Sequence, residues 1–208
     1  ASSCVRGTGT PGGSAGFSCS QTGKAAYGCL TGERWQEILK FAKTTGLFIA
    51  FGLNACNGRL SPDSPMDFSN IEELLNFTPS LPPGENSQPI AVEFGNEVLG
   101  HGVSPTQWSK DANTLNTLIK DAYAKAGLAP PGLVGPDHYS TEGYSTVLAN
   151  LDPGTLFAVT YHNYPQCDPT DVKPGMVNSP LCFAKIGATA DSVVGLVSDA
   201  KYSAQIWM

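Results

Sequence analysis

Charge is scarce in this chain: Asp, Glu, Lys and Arg make up 14% of its 208 residues, and 12 basic against 18 acidic side chains leave a net charge of −6. No cluster of Lys or Arg interrupts that dilution, so a phosphate backbone or an anionic membrane is repelled on average and nucleic-acid binding is set aside. No CxxC pair and no His at metal-ligand spacing accompany the six cysteines, which leaves a zinc site without support. No apolar run approaches the roughly 18 residues of a membrane span. The chain opens at Ala1 with neither a basic n-region nor an apolar h-region, so either a signal peptide has been removed or the sequence is partial. No GxGxxG or GxxxxGK[ST] follows an apolar strand, and the glycines at 7, 9, 12 and 13 precede no helix, so phosphate-cradling loops are missing too.

What is abundant is glycine and proline, 23 and 16 residues, beside a hydrophobic fraction of 41%. That balance describes a globular chain with many tight turns and long loops. The cysteines stand at 4, 19, 29, 56, 167 and 182. Cys167 and Cys182 bracket a Pro- and Asp-rich stretch and Cys19 and Cys29 another irregular one, places where a cross-link shortens an unfolded loop without straining a core. These four are expected to be disulfide-bonded, with the pairing left open, and an oxidising compartment follows. Cys56, beside a strand, reads equally as a bridged cysteine or as a small buried side chain. Asn76-Phe77-Thr78 is the one N-x-[ST] acceptor for glycosylation and closes a helix.

Residues 1–30 are rich in Gly, Ser and Thr without a sustained period and read as an irregular N-terminal region; residues 31–208 read as one catalytic-type domain. Trp35, Ile38, Leu39 and Phe41-Ala42 recur at helical spacing before the stop signal Gly46, and the apolar run 47–53 then suits a strand covered on both faces. The unit repeats: helix 70–77 and strand 90–94, helix 105–126 and strand 133–134, helix 144–151 and strand 156–161, helix 186–201 and strand 204–208. Strands alternating with helices imply parallel strands and right-handed crossovers. Five apolar strands, each ending in a polar cluster, favour an α/β fold of the partial (β/α)8 barrel type, incomplete at both ends because such a barrel takes about 250 residues. An open doubly wound sheet is the alternative.

Barrel enzymes carry their chemistry where strands end, which directs attention to Asn54, Asn96-Glu97, Asp137-His138 and His162-Asn163-Tyr164. The apolar strand ending in Asn96-Glu97 delivers an amide and a carboxyl group together. A protonated carboxyl gives its proton to a leaving glycosidic oxygen, and an adjacent amide hydrogen-bonds a sugar hydroxyl, so Glu97 is assigned as general acid/base and Asn96 as a sugar contact. The competing reading is that Asn-Glu caps the following turn. Glu93 shares Glu97's face at a period of two but lies deeper, and no catalytic role is given to it. Capping is the reading for Asp137, and Trp35, Trp108 and Tyr123 sit in helical patterns that pack against a sheet.

Gly28-Cys29-Leu30, Arg34-Trp35, Thr45-Gly46, Phe51-Gly52-Leu53-Asn54-Ala55, Gly58-Arg59, Glu93-Phe94-Gly95-Asn96-Glu97, Gly135-Pro136-Asp137 and Val159-Thr160-Tyr161-His162-Asn163-Tyr164 together resemble the heparanase-like family 79 glycoside hydrolases, especially plant-type members. The resemblance covers roughly residues 28 to 208 in order. It implies a retaining glycosidase acting on β-glucuronic-acid-type linkages of extracellular glycans or proteoglycans, without a cofactor. Glu97 takes the acid/base role, and His162 and Tyr164 approach the sugar and the nucleophile. Asn54 matches the Leu-Asn-Ala turn, where it either lines the pocket or stabilises the turn. The nucleophile, a Glu in a Gly-Glu pair, is expected just beyond Met208. The segment after Asp137, His138-Tyr139-Ser140-Thr141-Glu142, lacks the basic residues that hold sulfated chains. A clan relative acting on neutral glycans and a non-catalytic carbohydrate-binding pseudoenzyme are the alternatives. Secretion, or a vacuolar or lysosomal lumen with membrane association left open, is the expected location, and the oligomeric state is left open.

Overall fold

The computed structural model describes residues 30–56, 58–82, 84–163 and 180–208, of which 180–185 by backbone alone. Helix α1 (Gly32–Thr45) starts where the Thr31 hydroxyl accepts the N–H of Arg34 at 3.1 Å and stops at Gly46, left-handed at φ 70. Both ends follow from local chemistry: a side-chain oxygen satisfies one orphan amide, and a residue without Cβ takes the αL turn that reverses the chain. Strand β1 (Ala50–Leu53), helix α2 (Ser69–Ser80), strand β2 (Ala91–Phe94) and helix α3 (Pro105–Lys125) follow. Helix α3 opens with Ser104 capping the N–H of Gln107 at 3.1 Å and with Pro105 in its first turn, where a missing N–H costs nothing. Strand β3 (Gly132–His138), helix α4 (Tyr144–Asn150), strand β4 (Ala158–Tyr161), helix α5 (Pro180–Asp199) and strand β5 (Gln205–Trp207) complete the order.

The five strands form one parallel sheet in the order β1-β2-β3-β4-β5. Strand order is sequence order throughout, with no reversal, and that separates the arc of a (β/α) barrel from a doubly wound sheet, whose order turns back at a switch point. Parallel pairing also carries every strand's C-terminal end to one rim. Val92, Phe94, Leu133, Val159 and Tyr161 face the helices, where they join Trp108, Leu115, Ile119, Tyr144 and Val147 in the main core. The opposite face carries a small second cluster, Ala91, Val134 and Ala158 with Trp207 against them. Trp35 and Leu39 of α1 make a third with Leu81, and the Trp35 indole donates to the Thr78 hydroxyl at 2.9 Å. Trp35, Trp108 and Tyr123 are all buried, as packing residues should be.

Several expectations need correction. The run 47–53 is not a strand covered on both faces: pairing starts at Ala50, and within β1 Ala50 and Gly52 are exposed on one face while Phe51 and Leu53 are covered on the other; β1 also pairs on one edge among the described residues. A continuous apolar run therefore marked a strand correctly but not its neighbours, which sequence does not carry. Strand β3 is longer than the pair 133–134: it runs from Gly132 to His138, with Gly135 and Pro136 inside it. Gly135 is required there by contact: a Cβ would sit 2.5 Å from the Trp108 ring. Helix α5 begins six residues earlier than the apolar period showed.

Candidate active site

Strand β2 ends at Phe94, whose carbonyl accepts the Trp108 indole N–H at 3.1 Å. The chain then turns sharply: Gly95 has φ 91, and a Cβ there would meet Ala55 and Val98 at 2.9 Å, so glycine is the residue this turn accepts. Asn96 is exposed, and Glu97 follows in the left-handed region at φ 53, ahead of a single 3-10 turn over Val98–His101. Glu97 thus reaches the rim through a turn and not by continuing the period of β2. Its backbone N–H donates to the Asp137 carbonyl at 2.8 Å, which ties the ends of β2 and β3 together.

In β3 the register with β4 shifts between Pro136 and His138, leaving Asp137 as an extra residue at φ 52. A strict period of two puts Asp137 on the Gly135 face, towards Trp108; the bulge turns it instead to the face of Thr160 and His162. Tyr144 of α4 holds this irregular junction. Its hydroxyl donates to the Thr160 carbonyl at 2.8 Å and accepts the N–H of His138 at 3.3 Å. From the end of β4, the His162 amide donates to the His138 carbonyl at 3.0 Å and extends the ladder by one residue.

These three strand ends bring an imidazole between two carboxylates. His162 Nδ1 lies 2.6 Å from Glu97 Oε1, and Nε2 lies 2.7 Å from Asp137 Oδ1. The Glu97 and His162 side chains are 22% and 26% exposed, within reach of a ligand, whereas Asp137 at 6% is beneath them. Burial pushes the Asp137 carboxyl above its ordinary value; the His162 ring pulls it back and the Glu97 charge adds to the rise. Under the rim, burial and then the Asp137 charge likewise raise Glu93, against the Thr160 hydroxyl and His162. Burial lowers His138, opposed chiefly by Glu97. The arrangement suits proton transfer: a reachable carboxyl, a ring nitrogen in contact with it, and buried acids that keep the surroundings electronegative.

Of the residues expected at the site, Glu97 and His162 are brought into contact and Asn96 stands exposed beside them. The Asn54 side-chain oxygen Oδ1 accepts the N–H of Cys56 at 3.1 Å, as the turn-stabilising alternative has it. Tyr164, Cys167, Cys19 and Cys29 lie outside the described residues, as does the side chain of Cys182. Asn76 is exposed on α2, while the Thr78 hydroxyl of the same triplet is buried and donates to the Leu74 carbonyl at 2.8 Å. Two residues are settled by the structure. Cys56 is disulfide-bonded, which decides between its two readings. Asp137 is a partner of His162 and not a cap; its place at a strand's end was the available signal, but the bulge that aims it was not.

Residues 18–208 match the family model described as "Glycosyl hydrolase family 79, N-terminal domain". The chain belongs to glycosyl hydrolase family 79. Family 79 membership agrees with its curated relatives. Heparanase-like protein 2 of Arabidopsis thaliana is 32% identical over 76% of this chain and 29% of its own length. Heparanase-like protein 1 of the same plant is 34% identical over 66% of this chain and 26% of its own. Baicalin-beta-D-glucuronidase of Scutellaria baicalensis is 28% identical over 67% and 29%. The chain therefore spans less than a third of the length of the curated relatives it matches. Within a family 79 domain, the parallel sheet with sequential strand order is the arc of a (β/α) barrel, and Glu97 stands on its C-terminal rim.

Proposed function

We propose that this domain supplies the acid/base half of a retaining glycoside hydrolase that cleaves β-glucuronic-acid-type linkages in extracellular glycans or proteoglycans. The observation that carries the reading is the partly exposed Glu97 carboxyl, held 2.6 Å from His162 on the C-terminal rim of a family 79 sheet. Glu97 protonates the departing glycosidic oxygen and then, as a carboxylate, activates the water that resolves the glycosyl-enzyme intermediate. Exposed Asn96 binds a hydroxyl of the sugar, and the His162 ring lines the same site. Retention needs a second carboxylate about 5 to 5.5 Å from the first. We assign it to a Glu following β5, because β5 runs parallel to β4 and its C-terminal end faces the rim that holds Glu97.

A uronic acid as substrate is supported by the relative named for glucuronide cleavage. A single carboxylate is also more compatible than a sulfated polyanion with a net charge of −6 and with a segment 138–142 that holds no Lys or Arg. The same lack of cations favours a second reading, a neutral glycoside. Aryl β-glucuronides tested beside aryl glucosides and arabinofuranosides separate the two. The disulfide at Cys56 supports an oxidising location, secreted or luminal.

The test of the acid/base role is Glu97→Gln in the full-length protein. Turnover of glycosides with poor leaving groups is expected to fall about 10²–10⁴-fold, and turnover of activated aryl glycosides far less, because the latter depart without protonation. An equal loss on both, or none, overturns the assignment.

A further inference from the structure

Two carboxylates compete for one imidazole at this rim, and they are not equivalent. Glu97 is reachable by solvent, whereas Asp137 is 6% exposed, and among the described residues Nε2 of His162 is the donor its carboxylate has, at 2.7 Å. A buried carboxylate loses more than an accessible one when its donor is taken away, because water replaces the contact for the second and not for the first. A neutral ring carries a single N–H, and the hydrogen bond made by one nitrogen decides the role of the other. We propose that Asp137 is a positioning residue which keeps the proton of His162 on Nε2, so that Nδ1 faces Glu97 as an acceptor and Glu97 retains its own proton for the leaving group. The inference rests on the acid/base reading of Glu97.

The backbone supports this division of labour. The Glu97 N–H to Asp137 carbonyl bond, at 2.8 Å, and the His162 N–H to His138 carbonyl bond, at 3.0 Å, fix the three residues relative to one another without using their side chains. The left-handed conformation at Asp137 and the register shift beside it place a carboxylate where a regular strand has none. Among the described residues, the other ionisable groups facing the triad are Glu93 from β2, His138 from β3 and the Tyr144 phenol, with the Tyr161 phenol on the helix side of the sheet beside Tyr144. His101 and Glu142 stand further out, about His138.

Removing the charge at 137 leaves the ionised Glu97 as the stronger acceptor. The neutral ring then moves its proton to Nδ1 and donates it to Glu97, which holds that residue as a carboxylate and withdraws it as an acid. Asp137→Asn suits the test because asparagine tolerates a left-handed backbone. In the full-length protein, kcat/KM for poor leaving groups is expected to fall about 10²-fold, with less than about a tenfold loss for activated aryl glycosides. The high-pH limb of the profile is expected to move to lower pH, since the acid is lost earlier. A purely structural role lowers both substrate classes alike and leaves the limb in place; that result overturns the proposal. Nitrogen-15 shifts of His162 in the native protein give an independent readout that needs no variant: a neutral ring protonated at Nε2 is expected, and protonation at Nδ1 overturns it. Glu97→Gln assayed alongside keeps the two ideas apart, because its selective loss can persist when that of Asp137→Asn does not.

Discussion

At the scale of single residues, the rim concentrates acids that burial makes reluctant to ionise. Glu93 is raised by desolvation first and by Asp137 second. A carboxyl whose folded pKa exceeds its unfolded one stabilises the fold fully below the unfolded value, and that contribution is lost as pH rises through the folded value. Removing the titratable group at 93 therefore removes a penalty present at neutral pH. Glu93→Gln is expected to raise Tm at pH 7 relative to the native protein, with the difference shrinking towards pH 4. A thermal melt series across that range checks it, and a Tm difference that grows on acidification contradicts it. Glu97 and Asn96 were legible in the sequence because an apolar strand ending in Asn-Glu is a local pattern. Asp137 was read as a cap, because its aim depends on a register shift with β4, and pairing between strands leaves no mark at one position.

At the scale of elements, the segment between β1 and α2 is fastened to α3 by a buried ion pair. Arg59 Nη1 lies 2.6 Å from Asp111 Oδ2 and also donates to the Ser64 carbonyl, while its Nε donates to the Ala55 carbonyl at 2.9 Å. Asp111 Oδ1 accepts from the Met66 amide at 3.3 Å and from Gln107 at 2.9 Å. With the Arg59 and Asp111 side chains 0% and 5% exposed, deleting one partner strands a buried charge. Asp111→Ala is expected to cost about 3–5 kcal/mol in urea unfolding, whereas a joint replacement of both residues by apolar ones should cost less than the sum. The helices themselves were readable: Thr31, Gly46 and Ser104-Pro105 are stop and start signals that act within one turn of the chain. The bounds of β1 and β3 were not, since a strand extends as far as its neighbours pair with it.

At the scale of the molecule, β1 and β5 each pair on one side among the described residues, and Phe41, Leu47 and Phe48 lie exposed around the start of β1. Unpaired strand edges beside apolar side chains favour association between chains. The 208 residues produced alone are expected to elute from gel filtration as concentration-dependent oligomers and to bind ANS. A monomer that unfolds in one cooperative step without dye binding contradicts this.

The sequence by itself determined the alternation of helix and strand, the positions of the caps, the family, and the identity of the strand-end residues Asn96, Glu97 and His162. The family rests on motifs read in order from residue 28 to 208, and the others on interactions between residues close along the chain or on patterns within one element. The tertiary structure alone decided that Glu97 and His162, 65 residues apart, are in contact, that the bulge at Asp137 completes the triad, and that β1 is one-sided. Those features depend on which strand ends meet at the rim and on the register between them, and both are set by the summed packing of the sheet against its helices.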